Sequence, residues 1–422
     1  MENMQDLRKM IQHRLMTDYD ILMKDDISEE RVRQYVDQVV ETLPRADQER
    51  LVNAKVRSDL AKAIMDNIIG LGPLKALIED PMVTEIMVNG PNKIFAERNG
   101  KMELTDLKFD NERDLMNVIH KIMAPTQRRV DESNPYVDIS LSDGSRVNIV
   151  LPPLSLVGPS VTIRKFSREL KTIDDLVVRD TLTKDMAEFL IAAINAKLNI
   201  IFSGATGTGK TTTLNILSDY IPKGERIVTI EDTAELQLSQ DNVVRLETRL
   251  ANVEGRGVIT IRDLFINSLR MRPDRIILGE IRSDEALDML QSISSGHGGT
   301  MAIVHGGSPE GVISRLETMI ALSLVALPVW VTRKQIVSAI DIIVHHDQLA
   351  DGSRKITHIT EVNDLKDNEI ILKDIFSFDT EDKIENGKVV GEWKKSNHVP
   401  RFVNKIKKCN SKLDENFFKN AN

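Results

Sequence analysis

The chain has very little cysteine and few large aromatic residues. Its 422 residues include one cysteine, Cys409, with two tryptophans and four tyrosines. A single cysteine excludes a disulfide framework and a four-cysteine zinc module, and it favours a reducing compartment. Direct binding to nucleic acid is not expected, because the formal net charge is −8 and no basic segment is interleaved with stacking aromatic residues.

Long hydrophobic runs are also absent. No stretch approaches the roughly 18 apolar residues that span a bilayer, since the longest candidate, 319–331, is interrupted by Ser323 and Pro328. The N-terminus is too charged for a signal peptide. The sequence therefore predicts a cytoplasmic protein of two or three domains, without a transmembrane segment, that reaches the inner face of a membrane only peripherally.

A glycine-rich segment at 204–211 matches the pattern G-x-x-x-x-G-K-[ST] at each fixed position. An apolar run that predicts a buried strand precedes it, and a run that predicts a helix follows it. Lys210 is expected to reach the β- and γ-phosphates of ATP, and Thr211 to bind Mg²⁺. The residues predicted to bind the nucleotide are Gly204, Ala205, Thr206, Gly207, Thr208, Gly209, Lys210, Thr211 and Thr212.

The hydrophobic pattern changes along the chain and predicts several regions. Residues 1–69 have helical spacing and predict a helical region, which is either a solvated appendage or a docking module. Residues 70–166 predict a hairpin-rich α+β domain, and 167–180 a linker. Residues 181–422 predict an α/β domain with a parallel-rich sheet and a C-terminal appendix from 351. The predicted strands of that sheet are 198–203, 226–231, 275–279, 300–305 and 340–345, and the appendix adds 355–361 and 369–376.

Three carboxylates follow predicted strands, at the edge where open α/β sheets bind ligands. Glu280 ends an apolar run, as in a Walker B segment, and suits a residue that polarises the attacking water. The Asp that usually precedes it is replaced by Gly279. Glu231 is a further catalytic candidate, and Asp232 a candidate for Mg²⁺ binding, partly through water. Asp232 also suits the N-cap of a following helix, and the two roles are compatible.

Histidines and arginines complete the candidate set. His297 and His305 flank the predicted strand 300–305, so His305 is expected beside the nucleotide as a hydrogen-bond donor or sensor. Arginines neutralise developing phosphate charge and can come from another domain or subunit. The candidates are Arg128, Arg129, Arg146, Arg164, Arg256, Arg262, Arg270, Arg272 and Arg282.

In combination these segments resemble the ATPases of type II and type IV secretion systems, and most closely the branch that assembles tight-adherence (Tad/Flp) pili. The resemblance covers roughly residues 50–376. It is carried by segments 70–74, 83–90, 129–132, 143–147, 162–166, 204–211, 230–232, 260–263, 270–280 and 296–305. The resemblance implies a PAS-like N-terminal domain, a RecA-like ATPase domain and a homo-hexameric ring.

The resemblance also assigns roles to the candidates. Glu231 and Asp232 match the family's Asp box, Glu280 its Walker B segment, and His297 and His305 its His box. Arg146 and Arg164 match positions in the N-terminal domain that reach the phosphates. The family often has Gly-His-Asp-Gly-Ser where this chain has Gly-His-Gly-Gly-Thr at 296–300, and His-Ala-Asn where it has His-Gly-Gly at 305–307.

The implied function is Mg²⁺-dependent ATP hydrolysis by a cytoplasmic motor. It would act on inner-membrane platform proteins of a pilus or secretion system. Three alternatives stay open at this point: a conjugative or effector-secretion ATPase, a RecA-like DNA motor, and a nucleotide-binding scaffold without turnover. The acidic balance of the chain disfavours the DNA motor.

Overall fold

A computed structural model describes most of the chain. The described residues are 37–38, 41–42, 71–98, 101–126, 128–141, 143–165, 170–249, 251, 256–323, 327–385, 387–410 and 412–419. The chain divides into two compact units, residues 1–166 and 167–422. The predicted helical region 1–69 lies outside the described residues, apart from positions 37–38 and 41–42. Within the described part of the chain, no helix has the length and apolar character needed to cross a membrane.

The first unit is an α+β arrangement around one antiparallel sheet of six strands, in the order β3-β2-β1-β6-β5-β4. Its elements are α1 Leu74–Glu79, β1 Val83–Asn89, β2 Ile94–Arg98, β3 Lys101–Leu104, α2 Glu112–Met123, β4 Tyr136–Ser140, β5 Arg146–Val150 and β6 Ser160–Arg164. Alternate strand residues, such as Val147 and Ile149, are buried in one core with Leu115 and Ile119 of α2. Strand β3 was not predicted, and its four residues are all exposed in the structure.

The second unit carries the glycine-rich loop. Its strands are β7 Ile200–Gly204, β8 Ile227–Glu231, β9 Val243–Glu247, β10 Arg275–Leu278, β11 Met301–Val304, β12 Ile342–Gln348, β13 Arg354–Lys366, β14 Glu369–Glu385 and β15 Lys388–Lys395. Its α-helices are α3 Ile173–Val178, α4 Lys184–Asn195, α5 Lys210–Ser218, α6 Ile261–Ser268, α7 Glu285–Ser294, α8 Pro309–Ala321, α9 Val329–Ala339, α10 Val403–Cys409 and α11 Glu415–Lys419.

Nine strands form one sheet in the order β15-β14-β13-β12-β7-β11-β10-β8-β9. The six strands from β12 to β9 are parallel, as the alternation of strands and helices predicted. Strands β13, β14 and β15 continue the sheet in antiparallel fashion. Successive residues of β7 face different cores: Ile200 and Phe202 pack in one core and Ile201 in the other. Both faces of the central sheet are therefore covered by helices.

Two regions show packing that the sequence did not predict. The C-terminal appendix is part of the same sheet, and its Phe376, Phe402 and Phe418 pack in the core with Phe189 of α4. Helix α3 lies within the predicted linker 167–180. Its residues Ile173 and Leu176 are buried in the core of the second unit, so the described part of this stretch carries a packed helix. Neither region shows long apolar periodicity, and long-range packing decides both.

Candidate nucleotide site

The loop between β7 and α5 has the backbone of a phosphate-binding loop. Gly204, Gly207 and Gly209 have φ angles of 139°, 81° and 98°, which residues with a side chain rarely adopt. A Cβ at position 204 would also lie 2.2 Å from the carbonyl oxygen of His346. The loop ends with Gly209 as N-cap of α5. It therefore leads into a helix N-terminus, where backbone N–H groups have no partner within the helix and suit an anion.

Lys210 is folded against this loop and largely buried, with 6% of its surface exposed. Its Nζ donates to the carbonyl oxygen of Ala205 at 2.6 Å, and the hydroxyl of Thr208 donates to the same oxygen at 2.9 Å. Burial lowers the pKa of Lys210, while the charge of Glu280 acts in the opposite direction. A desolvated ammonium group held in a glycine loop interacts strongly with an anion. The loop and its lysine therefore fit the phosphates of ATP.

Glu280, Arg282 and His305 come together at the same edge of the sheet. Glu280 Oε2 accepts from Arg282 Nη2 at 2.5 Å, and its Oε1 lies 3.2 Å from His305 Nε2. Arg282 also donates through Nη1 to Asp232 Oδ2 at 2.9 Å. The backbone N–H of Arg282 donates to the buried carboxylate of Glu285 at 2.6 Å. This hydrogen bond holds the backbone at Arg282 in place. The structure therefore brings four of the predicted residues, 232, 280, 282 and 305, into one cluster.

The protonation of this cluster follows from burial and charge. Burial opposes ionisation of Glu280, but the hydrogen bond and charge of Arg282, with His305 and Lys210, hold the pKa of Glu280 below its ordinary value. Burial first, and then the charge of Lys210, lowers the pKa of His305. Near neutral pH the pair therefore consists of a carboxylate and a neutral imidazole, which can donate to Glu280 through Nε2. An ionised carboxylate is the form that accepts a proton from water.

Glu231 is the last residue of β8 and is 3% exposed. Its Oε2 accepts from the backbone N–H groups of Glu235, at 2.7 Å, and Leu236, at 2.9 Å. A Cβ on Gly279 would lie 2.8 Å from Cγ of Glu231. Glu231 therefore occupies the space that a Walker B Asp at position 279 would need. The contacts give it a role in holding the backbone that follows β8.

Asp232 does not begin a helix, since residues 232–242 form bends and loop. The N-cap prediction for this residue is therefore wrong. No cluster of three or more His, Cys, Asp or Glu side chains able to hold a metal occurs among the residues that the structure describes. Mg²⁺ often takes one or two protein ligands together with water and phosphate oxygens. Thr211 lies half-buried in the first turn of α5, and Asp232 directly follows β8. Their role in binding Mg²⁺ stays a prediction.

The two predicted histidines lie at opposite ends of β11. His305 follows the strand and contacts Glu280, whereas His297 precedes it. The neighbouring Gly299 donates to the side chain of Asn199, just before β7, so His297 is near the amino ends of the parallel strands. The phosphate loop is at their carboxyl ends. The structure therefore does not bring His297 to the site, because a strand separates the two histidines.

Arg146 and Arg164 belong to the first unit. They are cross-strand neighbours on β5 and β6, and both are exposed. Arg164 Nε lies 2.7 Å from Oε1 of Glu85 on β1. Side chains at paired positions share a face of the sheet, so these charges form one polar strip.

Two buried histidines on β12 were not predicted. His345 Nδ1 lies 2.8 Å from Ser203 Oγ on β7, and His346 Nε2 lies 3.0 Å from Thr213 Oγ1 on α5. Burial lowers the pKa of His346 to about 3, so this ring is neutral. The sequence signal was a His-His pair at the end of a predicted strand, but its neighbours could be named only from the strand order.

Comparisons with known proteins identify the family of the chain. The family described as type II/IV secretion system protein matches residues 67–369. The type IV secretion system protein VirB11 of Brucella suis is 32% identical over 320 residues, covering 69% of this chain and 88% of the relative. A putative conjugal transfer protein of Mycobacterium tuberculosis is 29% identical over 319 residues, covering 74% of this chain and 88% of the relative.

The fold is shared with a solved structure of the pilus retraction motor PilT with bound ADP. That structure has a TM-score of 0.50 and 18% sequence identity, and the match covers 70% of this chain and 80% of PilT. The predicted RecA-like fold is thereby confirmed. The PAS-like assignment of the first unit and the Tad branch stay predictions. The chain belongs to the type II/IV secretion system protein family, the RecA-like secretion ATPases.

Proposed function

We propose that this chain binds ATP with Mg²⁺ at the loop 204–212 and hydrolyses it with Glu280 as the residue that polarises water. The observation that supports this is the position of Glu280. It is an ionised carboxylate at the same sheet edge as the phosphate loop, and Arg282 and His305 hold it in place. Bound Mg²⁺ would neutralise phosphate charge. The residues of the chain orient the nucleotide and hold the proton acceptor.

Two substitutions test the proposal. Lys210→Ala removes the buried cation, so it should abolish nucleotide binding and turnover. Glu280→Gln keeps the shape of the side chain but removes its basicity. It should lower kcat by about 100-fold or more while ATP binding is retained. Steady-state phosphate release and binding of a fluorescent ATP analogue measure the two properties separately.

Matched controls come from exposed residues of the same unit. Lys334→Ala on α9 and Glu310→Gln in the first turn of α8 should leave turnover unchanged. Wild-type phosphate release in the Glu280→Gln protein would contradict the assignment of Glu280. Nucleotide binding without turnover in the wild type would instead favour a scaffold.

We further propose that hydrolysis drives a ring-shaped homo-oligomer, a hexamer, that acts on inner-membrane platform proteins to assemble a pilus or secrete a substrate. Support comes from family membership and from the arginines of the first unit, whose predicted partner is the phosphate of a bound nucleotide. Light scattering after size exclusion, on Glu280→Gln with ATP, should give the mass of six chains. A monomer under these conditions would contradict the motor proposal.

A conjugative or effector-secretion role is the second candidate. The observations in its favour are the 32% identity to a type IV secretion system protein and the match to a putative conjugal transfer protein. Co-purification from the source cell and the genes beside this one separate the two roles. Pilin-like subunits and a prepilin peptidase support pilus assembly, whereas a relaxase or coupling protein supports conjugation.

A further inference from the structure

The hairpin formed by β12 and β13 runs directly beside the phosphate loop. β12 pairs with β7 in parallel, and the pairing continues to the loop itself, with His345 opposite Ser203 and His346 opposite Gly204. The carbonyl oxygen of His346 fills the space that a side chain at Gly204 would take. The C-terminal part of the chain therefore contacts the loop through its backbone.

Side chains of the same hairpin strengthen this contact. His346 Nε2 lies 3.0 Å from Oγ1 of Thr213, which is one turn into the helix that the loop begins. Both groups are buried, and Ser203 and His345 form a second buried pair one residue earlier. Buried polar pairs restrict neighbouring elements to one arrangement. The end of the hairpin is therefore held at a defined place relative to the loop.

Arg354 is the first residue of β13, directly after the turn of this hairpin. Its Cδ lies 3.9 Å from the position that a Cβ of Gly209 would occupy, so its side chain passes alongside the loop. Arg354 is an exposed residue, and its side chain makes no hydrogen bond or ion pair with any residue that the structure describes. Arg282, by contrast, is engaged by two carboxylates.

We propose that Arg354 binds the phosphates of the nucleotide held by the loop 204–212. A guanidinium group without an acidic partner, beside a loop of backbone N–H donors, is suited to a phosphate, which it can bind through two parallel hydrogen bonds. The C-terminal appendix then supplies one wall of the nucleotide site within its own unit. This inference rests on the proposed function and adds a phosphate-binding residue to it.

Arg354→Gln tests the inference. The affinities of the full-length protein for ATP, ADP and GTP are measured by competition with a fluorescent nucleotide. Arg354→Gln should weaken ATP, ADP and GTP alike, by about tenfold, as expected for loss of a charge-assisted hydrogen bond. Arg354→Lys keeps the charge and should lose less. Lys366→Gln removes an exposed charge at the far end of the same strand and should match the wild type.

Two results would overturn the inference. One is wild-type affinity for all three nucleotides in Arg354→Gln, with an unchanged Tm. The other is a loss for ATP that is absent for GTP, because that pattern indicates contact with the base. A wild-type protein that binds no nucleotide would refute the proposed function as well. Normal wild-type binding combined with no effect of Arg354→Gln refutes only the role of Arg354.

Discussion

At the scale of single residues, Gly279 and Glu231 are linked by one steric contact. β8 and β10 are neighbouring strands, and Ile230 pairs with Leu278. The residues that follow these two, Glu231 and Gly279, therefore lie side by side. Cγ of Glu231 lies 2.8 Å from where a Cβ at position 279 would be. The glycine in the Walker B segment is therefore required by the glutamate beside it. The absence of the usual Asp follows from packing at the site.

Gly279→Ala should consequently destabilise the protein by about 1–3 kcal/mol, because the added methyl group displaces Glu231. Glu231→Ala should cost a similar amount by leaving two backbone N–H groups without their acceptor. The double variant should lose less than the sum of the two, with a coupling of at least about 0.5 kcal/mol. Urea unfolding of the four proteins measures the cycle, and strictly additive losses would show that the two positions act independently.

At the scale of elements, helix ends and strand ends hold the site residues in position. Thr260 and Asp263 form a capping box at the start of α6, so one motif shared with secretion ATPases has a structural role here. Arg262, between them, bridges Asp284 and Asp288 at the start of α7. This helix follows Glu280 and Arg282 in the chain. The motif at 260–263 therefore helps to position the cluster from a distance.

The contact between β12 and α5 makes stability depend on pH. Burial lowers the pKa of His346 to about 3, compared with an ordinary value of 6.5. Between these values the unfolded chain binds a proton that the folded chain does not. The contribution of His346 is therefore fully present above pH 6.5 and is lost as the pH falls towards 3.

His346→Gln, which keeps a donor for Thr213, should reduce this dependence. From pH 6.5 to 5 its free energy of unfolding should fall less steeply than that of the wild type, by up to about 1.4 kcal/mol per pH unit. Urea unfolding at several pH values measures the slope. His120→Gln, at an exposed histidine of α2, is the control and should keep the wild-type slope. Equal slopes in wild type and His346→Gln would contradict burial of a neutral ring.

At the scale of the whole molecule, the chain has two units with separate cores. The second unit holds the phosphate loop, the carboxylate cluster and the hairpin with Arg354. The first unit holds Arg146 and Arg164, exposed on one face of its sheet. Both arginines are predicted, from the resemblance to secretion ATPases, to reach the phosphates of a nucleotide.

If that prediction holds, Arg146→Gln and Arg164→Gln should each lower kcat by about 1,000-fold, as removal of an arginine that stabilises the transition state does. ATP binding should change much less than kcat. Arg98→Gln, on β2 of the same sheet, removes an arginine that pairs with Asp80 and should leave turnover near the wild-type value. Unchanged turnover in both test variants would show that the second unit works without these arginines.

The sequence by itself determined the phosphate loop, the parallel strands around it and the family. The loop and the strands depend on consecutive residues: the glycines and Lys210 form one short motif, and buried strands are continuous apolar runs. The family follows from several such segments in combination. Strands β3 and β9 were not predicted, because β3 is fully exposed and β9 has no fully buried residue. Such strands form because they pair with a neighbouring strand, and burial of their side chains contributes little.

The tertiary structure alone decided which distant residues meet. His297 and His305 belong to one motif, yet only His305 contacts Glu280, since β11 separates them. Arg354 is far from Gly209 in the chain and lies beside it because β12 pairs with β7. Strand order depends on the packing of the whole sheet, and no local pattern encodes it.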